Sequence, residues 1–501
     1  MWRISCLPDD LLRSMATAMA ALALLATPAP ASSQWLDQLR ELDSNHARVT
    51  ALIVDLADMS TIAALNPDMQ LTPASVSKLF VAAGALEQFG PNYRFTSTFA
   101  TGDGVNDGVV HGNLVFIGDG DPSLDSKRLW ALVQRLKAAG ITRVKGHLIV
   151  DNGLFGPFTC RIKDRCKALT RAGEAYSAPL SSAGVNFGTV KLTIYPGEQA
   201  GDTARTVLHP LGLPGYVIDN RVTTGVPGTR PALAVWREYD DGQNILHLRG
   251  ELPADERHYD VYRAVTNAAT QTARVVATLL SDAGIEVEGS AWARPLANRV
   301  LMPIAQIKSD RLAEQLIPML AYSNNYMADV LTLDIASARG GESPLTLAGA
   351  SKTLEKLARQ AMLETYPERA GDVPAPIFDS GSGLAVGNKL SARHIVALLN
   401  HMYHQAALFP AFYGAIPVPV SSITSTLKHG NHQWLTRLSA KTGTLTEPVT
   451  VRALAGYFRM HDGGFGAFAV IINGTPQRSS IGFYDTVIAY QEDIEAILAE
   501  Y

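Results

Sequence analysis

Three short strings of the sequence carry the residue types of a serine acyl-transfer site, and they occur in the order Ser75-Val76-Ser77-Lys78, Ser323-Asn324-Asn325 and Lys441-Thr442-Gly443. A serine hydroxyl is a weak nucleophile unless a neighbouring base takes its proton. Residues three apart on a helix share one face, so the amine of Lys78 is expected beside the hydroxyl of Ser75. A lysine acts as a base only when burial or a second cation lowers its pKa, and Lys441 is a candidate for that cation. The spacing predicts a nucleophile with an adjacent base.

Taken singly, each string is common in proteins without any catalytic role. A lone serine-x-x-lysine is usually an exposed helical pair, and a second copy, Ser425-Thr426-Leu427-Lys428, lies downstream without other motifs around it. We interpret this second copy as structural. The ordered set of three strings is the specific signal.

The ordered set is typical of penicillin-binding proteins and class A β-lactamases. About 245 residues separate Lys78 from Ser323, which is room for one or two additional domains. Over most of residues 49–475 the chain resembles peptidase family S13, the D-Ala-D-Ala carboxypeptidase/endopeptidases of the penicillin-binding protein 4 type. Further stretches that carry the resemblance are Leu71–Ser75, Gly118–Leu124, Ser177–Leu180 with Asn186, and Asp379–Leu384.

The resemblance implies the mixed α/β (α+β) DD-peptidase or serine β-lactamase-like fold, an antiparallel sheet flanked by helices. An α+β domain is expected inside the catalytic domain, with a small β domain nested within it. The expected divisions are a signal peptide at 1–31, the catalytic domain at 35–98 and 295–501, the inserted domain at 99–182 and 261–294, and the nested domain at 183–260.

Local patterns predict several elements of this fold. Apolar runs indicate a buried strand over 48–56 and a helix from Ser75 to Phe89 that ends at Gly90-Pro91. Three strands near the C-terminus form a predicted meander that contains Lys441, and an amphipathic helix follows it. The predicted bounds are 436–446, 451–460 and 465–473 for the meander, 483–499 for the last helix, and 127–139 and 262–282 for two helices of the insert.

The resemblance also implies roles for the remaining motif residues. Ser323 supplies a hydroxyl for proton relay to the leaving amine, and Asn325 an amide for the substrate backbone. The backbone N–H of Thr444 completes an oxyanion hole with that of Ser75. The string Lys441-Thr442-Gly443, with Thr444, binds the carboxylate of a C-terminal D-alanine, because an ammonium group and two hydroxyls suit an oxoanion.

The implied activity is that of a serine D-Ala-D-Ala carboxypeptidase or endopeptidase that acts on peptidoglycan stem peptides and is acylated by β-lactams. No cofactor and no metal is implied. Two other classes stay open: a serine β-lactamase or esterase on the same fold, and a catalytically silent protein that binds the cell wall. The sequence leaves open the choice between terminal trimming and cross-link cleavage, and it specifies no oligomeric state.

Two positions bear on the substrate side chain. The family commonly has an arginine shortly after its Ser-Gly-Leu string, where this chain has Val386. Asp151, with Phe155 four residues later, resembles the family's substrate-side loop and is a candidate partner for an amine of the substrate; the alternative is a turn residue at a strand end. The loop from Asp379 to Gly383 either borders the active site or is only a glycine-rich turn.

Composition and the N-terminus indicate compartment and partners. The formal net charge is −4 and there is no cluster of basic residues, so a nucleic-acid partner is not expected. Arg3 and Arg13 precede an apolar run from Met15 to Ala26, and Ala29-Pro30-Ala31 resembles an export cleavage site. The run is shorter than the roughly 20 residues of a membrane span, the alternative interpretation. We therefore expect a periplasmic protein, soluble or loosely associated with the membrane.

The two groups of potential metal ligands have other interpretations. In an oxidising compartment Cys160 and Cys166 are expected to close a small disulfide loop; two unrelated thiols are the alternative, and two cysteines alone do not make a zinc site. His394, His401 and His404 share one face of a predicted helix with no carboxylate among them. We interpret that face as the polar face of the helix, opposite a buried apolar stripe, rather than as a metal site.

Overall fold

The computed structural model describes residues 35–156, 173–296, 300–340 and 345–501. Its strands β1 to β20 are, in chain order, Arg48–Asp55, Thr61–Leu65, Thr96–Thr101, Val105–Asn106, Val109–Val110, Leu114–Ile117, Arg143–Val144, Leu148–Asp151, Thr189–Tyr195, Arg205–His209, Tyr216–Gly225, Ala232–Asp240, Gln243–Pro253, Tyr259–Ala264, Glu286–Val287, Ala291–Ala293, Met302–Lys308, Leu438–Leu445, Val451–Arg459 and Phe465–Asn473. Its helices α1 to α12 are Asp37–Ser44, Lys78–Phe89, Ser126–Ala138, Ala268–Asp282, Leu312–Ala321, Asn325–Ala338, Leu347–Thr365, Ala392–Tyr403, Phe409–Ala415, Ser425–Lys428, His432–Arg437 and Phe483–Glu500.

A five-stranded antiparallel sheet in the order β18-β19-β20-β1-β2 joins the two ends of the chain. Both of its faces are covered, which explains why β1 has six consecutive buried residues rather than an alternating pattern. On β19, Ala455 and Tyr457 pack into the apolar cluster of α2 and α5 to α8, whereas Leu454 and Phe458 pack into the cluster of α1, α11 and α12. The predicted antiparallel sheet flanked by helices is confirmed.

Helix α2 carries the first motif into the centre of the molecule. A 3-10 turn, Ala74–Ser77, leads directly into the helix, whose residues from Lys78 to Leu86 are all buried. The helix ends at Gly90, which adopts φ 77°, a left-handed value that glycine tolerates without steric cost. The helix predicted to begin at Ser75 is confirmed, with its first turn in the tighter 3-10 form.

The predicted C-terminal meander and last helix are also confirmed, as β18, β19, β20 and α12. The helix predicted over 262–282 begins later than predicted. Residues Tyr259–Ala264 form β14, which pairs antiparallel with β9, and the Asn267 side chain accepts a hydrogen bond from the N–H of Thr270 to cap α4. An N-terminal cap fixes the start of a helix, so α4 begins at Ala268.

Between β2 and α5 the chain builds further sheets, in the orders β16-β8-β6-β3-β17, β15-β7-β5-β4, β10-β9-β14 and β11-β13-β12. Strand β3, which leads into this region, pairs antiparallel with β17, which leads out of it. One apolar cluster connects these sheets with α3 and α4. The domain bounds given above stay a prediction.

Two of the sequence predictions fall outside the described residues: the signal peptide at 1–31 and the disulfide between Cys160 and Cys166. Among the helices of the described ranges, none has both the length and the apolar character needed to cross a membrane.

Candidate active site

The hydroxyl of Ser75 and the amine of Lys78 are in direct contact, with Nζ 2.9 Å from Oγ. The 3-10 turn explains this, because side chains at positions i and i+3 of such a turn eclipse each other. Ser75 is partly exposed while Lys78 is fully buried. A substrate can therefore reach the hydroxyl, and the amine behind it is shielded from water.

Lys78 has two further hydrogen-bond partners from distant parts of the chain. Its Nζ lies 2.7 Å from Oδ1 of Asn325, the first residue of α6, and 2.6 Å from the carbonyl oxygen of Ser382. The Asn325 amide in turn donates from Nδ2 to the carbonyl oxygen of Tyr176, at 3.0 Å. Because each end of the amide has a separate partner, its orientation is fixed. The first two motifs therefore meet at Lys78.

The third motif meets the second at Lys441 on β18. Its Nζ lies 3.0 Å from Oγ of Ser323 and 2.7 Å from the carbonyl oxygen of Thr442. Lys441 is 1% exposed, and burial lowers the pKa of its ammonium group to about 7. Near neutral pH both the charged and the neutral form of this side chain are populated.

Two glycines allow other segments to approach the turn before Ser75. A Cβ atom on Gly383, which adopts φ +74°, would lie 1.8 Å from the carbonyl oxygen of Ala74. A Cβ on Gly443 of β18 would lie 2.7 Å from the carbonyl oxygen of Pro73 and 3.2 Å from the nitrogen of Ser75. The distances of 1.8 and 2.7 Å are shorter than a carbon atom tolerates against backbone. The turn is therefore held between the 379–384 loop and the edge strand.

The backbone is strained next to Ser75 and at Ser323. Ala74, directly before Ser75, has φ 47°, and Ser323 has φ 54°. The left-handed region costs a residue with a Cβ roughly 1–2 kcal/mol. Such conformations persist where surrounding contacts fix them, and they cluster at functional sites.

The other predicted binding residues lie in different settings. Thr442 is partly exposed and Thr444 is exposed, so a ligand can reach both side chains. Asp151 ends β8, where its Oδ1 accepts hydrogen bonds from the N–H groups of Gly153, at 2.9 Å, and Leu296, at 3.1 Å. These bonds tie the carboxylate to the backbone of the inserted region. Its role toward a substrate amine stays a prediction.

The loop from Asp379 to Leu384 borders the site, since the carbonyl oxygen of Ser382 accepts from Lys78. The N–H of Ser382 donates to Oδ1 of Asp329 on α6, at 2.8 Å, which holds that carbonyl in place. The sequence did not indicate that carbonyl groups of Ser382 and Tyr176 contact the motif residues. Ser382 lies in a stretch that resembles the family, Asp379–Leu384, and Tyr176 directly precedes another, Ser177–Leu180.

The histidine prediction was wrong for two of its three members. His394 and His401 are 1% and 4% exposed, so they do not form a solvent-facing surface. His394 bonds Ser391 at the N-terminus of α8, and His401 lies between Glu87 of α2 and Glu364 of α7. The sequence of α8 alone did not indicate carboxylates supplied by neighbouring helices. Across the described ranges no group of side chains is arranged to hold a metal ion.

Comparisons with known proteins agree with this geometry. Residues 33–486 match the model of the family described as D-Ala-D-Ala carboxypeptidase 3 (S13). A D-alanyl-D-alanine carboxypeptidase from Actinomadura sp. (strain R39) is 28% identical over 469 residues, which are 90% of this chain and 81% of that protein.

Solved structures show the same fold. Penicillin binding protein 4 (dacB) from Haemophilus influenzae matches with a TM-score of 0.73 at 19% identity, over 92% of this chain and 99% of that one. A structure of the same protein complexed with a novel β-lactam gives a TM-score of 0.68 at 18% identity, with the same coverage. The DD-peptidase fold expected from the sequence is confirmed.

Proposed function

Because this chain belongs to the D-Ala-D-Ala carboxypeptidase 3 (S13) family, as its sequence predicted, we propose that it cleaves D-alanyl-D-alanine stem peptides of peptidoglycan through an acyl-enzyme on Ser75. It is a serine-type D-Ala-D-Ala carboxypeptidase/endopeptidase. The observation that carries the proposed role of Ser75 is the 2.9 Å contact between its partly exposed hydroxyl and the buried Lys78 amine.

In the acylation step, neutral Lys78 takes the proton of Ser75 while it keeps its hydrogen bonds to Asn325 and Ser382. The Ser75 oxygen attacks the carbonyl carbon of the penultimate D-alanine and forms a tetrahedral intermediate. We assign the oxyanion to the N–H groups of Ser75 and Thr444. Removing one donor of such a pair typically raises the barrier by about 3 kcal/mol.

Breakdown of the intermediate requires a proton for the leaving amine. The proton that Lys78 took from Ser75 passes through the hydroxyl of Ser323, which accepts a hydrogen bond from Lys441, to the nitrogen of the departing D-alanine, and Lys78 becomes neutral again. A water molecule then attacks the Ser75 ester while neutral Lys78 takes its proton, and Lys78 returns that proton to the Ser75 oxygen as the shortened peptide leaves. A β-lactam would acylate the same hydroxyl, in line with the β-lactam complex of the Haemophilus protein.

The substrate carboxylate is assigned to Lys441, Thr442 and Thr444. The Lys441 ammonium is charged in only part of the molecules near neutral pH, and an anion beside it would favour the charged form. Within the part of the chain that the structure describes, Lys441 makes no ion pair, so the substrate carboxylate would be its counter-ion there and a free C-terminal carboxylate would be favoured. Peptidoglycan lies outside the cytoplasm, and the predicted leader at 1–31 supports export to the periplasm.

The test uses the purified chain and its Ser75→Ala variant. Each is incubated with a labelled penicillin, with a peptide that ends in D-Ala-D-Ala, and with a cross-linked peptide dimer. The parent is expected to form a lasting adduct and release D-alanine, and the variant to do neither. Ser425→Ala, in the second serine-x-x-lysine copy, is the matched control and should behave like the parent.

Other outcomes would replace the proposal. Rapid turnover of penicillin without D-alanine release would indicate a β-lactamase, and no reaction with any probe would indicate a wall-binding protein. The peptide dimer separates endopeptidase from carboxypeptidase activity, because only an endopeptidase converts it to monomers.

A further inference from the structure

A cavity lies beside Leu71 and Thr72, the residues that precede the turn of the nucleophile. Its volume is about 330 Å³, and its wall includes Arg48, Thr72, Lys389, Glu447 and Asn473. None of the five proposed catalytic side chains lines it. A cavity of this size can hold an amino acid or a short peptide.

Regular pairing builds the floor of this cavity from four separate segments. Arg48 at the start of β1 lies directly opposite Asn473 at the end of β20. Leu71 pairs with Leu390 through two backbone hydrogen bonds of 2.9 and 3.0 Å. This pairing brings Lys389 beside Thr72, and Lys389 Nζ donates to the Thr72 hydroxyl at 2.7 Å. The positions of the two cations are therefore set by strand pairing.

The charge of the cavity wall is predominantly positive. Among the described residues that line it, Arg48 and Lys389 are cations and Glu447 is the acid. The hydrogen-bond partner of Lys389 is a neutral hydroxyl, and burial together with the charge of Arg48 lowers the pKa of its ammonium group. Two like charges near each other in a half-buried cavity destabilise one another, and an anion between them would remove that repulsion.

We propose that this cavity is a binding site for a carboxylate, held by the side chains of Lys389 and Arg48. The ligand class is a small organic acid or the acidic residue of a peptide. The site goes beyond the proposed hydrolysis and does not depend on it, because binding can be measured without turnover.

The backbone around Thr72 should stay in place when a ligand binds. The Asn473 amide holds Thr72 at both its N–H, at 2.9 Å, and its carbonyl, at 3.0 Å, and the Thr72 hydroxyl lies 3.1 Å from the carbonyl oxygen of Val386. A ligand that draws Lys389 away removes only one bond to the hydroxyl. We therefore expect occupancy to change the rate of Ser75 acylation less than about threefold, since the nucleophile segment keeps its other contacts.

Isothermal titration calorimetry on the full chain tests the proposal with two probes, glutarate and the dipeptide L-alanyl-D-glutamate. Saturable binding of one molecule is expected, weakened about tenfold or more in Lys389→Met and in Arg48→Met, because each loses a charge-assisted bond. Lys428→Met, which removes an exposed lysine elsewhere, should bind like the parent.

The two probes distinguish the sources of the carboxylate. Tighter binding of the dipeptide assigns the site to peptides, and equal or tighter binding of glutarate assigns it to small acids. The proposal is overturned if neither probe binds at tens of millimolar, or if both variants bind as the parent does. Because Arg48 and Lys389 lie on different elements, a folding failure of one variant, detected by circular dichroism, leaves the other as the test.

Discussion

The cleft contains two serine–lysine pairs. The distance between the serine Oγ and the lysine Nζ is nearly the same in both, but the environments of the two lysines differ. Ser75 and Lys78 are 2.9 Å apart on one turn, whereas Ser323 and Lys441 are 3.0 Å apart but 118 residues distant in sequence. Lys78 has hydrogen-bond partners in a hydroxyl, a side-chain amide and a carbonyl. For Lys441 the partners are a hydroxyl and the carbonyl of the next residue.

This difference indicates that the two lysines have different roles. An amine that donates to the fixed oxygens of Asn325 and Ser382 is held in one position beside the Ser75 hydroxyl, so Lys78 suits proton transfer with that hydroxyl. Lys441 is as deeply buried but less completely coordinated, and the pKa of about 7 reflects that burial. It therefore suits a group that gains its strongest interaction only when an anion arrives.

Replacing the proton acceptor should have the largest effect. We expect Lys78→Met to slow acylation by roughly 100- to 10,000-fold, the range for loss of a general base. The second-order rate of adduct formation with a labelled penicillin measures it. Lys428→Met, in the second serine-x-x-lysine copy, is the control and should keep the parent rate. A variant of Lys78 that retains its fold and reacts within tenfold of the parent would assign the base to another group.

The pair at Ser75 could be derived from the sequence, and the pair at Ser323 could not. Helical periodicity alone places a lysine beside a serine three residues earlier, and the structure adds only that the turn is a 3-10 turn. No periodicity connects Ser323 with Lys441, because their contact depends on how α5 and α6 pack against the edge strand. Only the resemblance to a family predicted that the two would meet.

The prediction of the fold has the same limit, because local sequence patterns do not reveal contacts between distant segments. Strands such as β1 and β19 were recognisable from their apolar runs, since both faces of the sheet are covered. The burial of His401 was not recognisable, because the carboxylates that bond it come from α2 and α7. The carbonyl partners of Lys78 and Asn325 were also beyond prediction, since every residue has a carbonyl and only tertiary packing selects one.

The two glycines beside the nucleophile turn provide a matched pair of substitutions. Gly383→Ala forces an alanine into a left-handed conformation and against the carbonyl of Ala74, so we expect it to lower the free energy of unfolding by about 3 kcal/mol. Gly443→Ala should destabilise less, because its φ is not left-handed, but should slow acylation by shifting β18 from Ser75. Urea unfolding and penicillin labelling of both variants separate the effects. Equal losses of stability would contradict the comparison.

The pH dependence of kcat/KM should reveal Lys441. Its ammonium form predominates below a pKa of about 7 and is lost above it, so kcat/KM for a peptide with a free C-terminal carboxylate should fall about tenfold per pH unit on the alkaline side. Lys441→Arg keeps the charge and should move this decline to higher pH. The same peptide with an amidated C-terminus is the control. If its profile declines identically, Lys441 acts in proton relay rather than in carboxylate binding.

Stability should respond in opposite directions at the two lysines. Removing the buried charge in Lys441→Met should raise the free energy of unfolding by on the order of 1 kcal/mol near pH 6.5. Because the folded-state pKa of Lys441, about 7, lies below the ordinary 10.5, the unfolded chain binds more protons between these values and the parent gains stability as pH rises. The difference in the free energy of unfolding between Lys441→Met and the parent should therefore become smaller toward pH 10.

Lys78→Met should instead destabilise at every pH, since the Asn325 Oδ1 and the carbonyl of Ser382 lose their donor in a buried site. Urea unfolding at pH 6.5 and at pH 9.5 measures both variants against the parent. The prediction depends on the sign of the change in the free energy of unfolding at pH 6.5, which should be positive for Lys441→Met and negative for Lys78→Met. Two destabilised variants would mean that Lys441 is held as firmly as Lys78, and the functional division between the two pairs would then have to rest on kinetics alone.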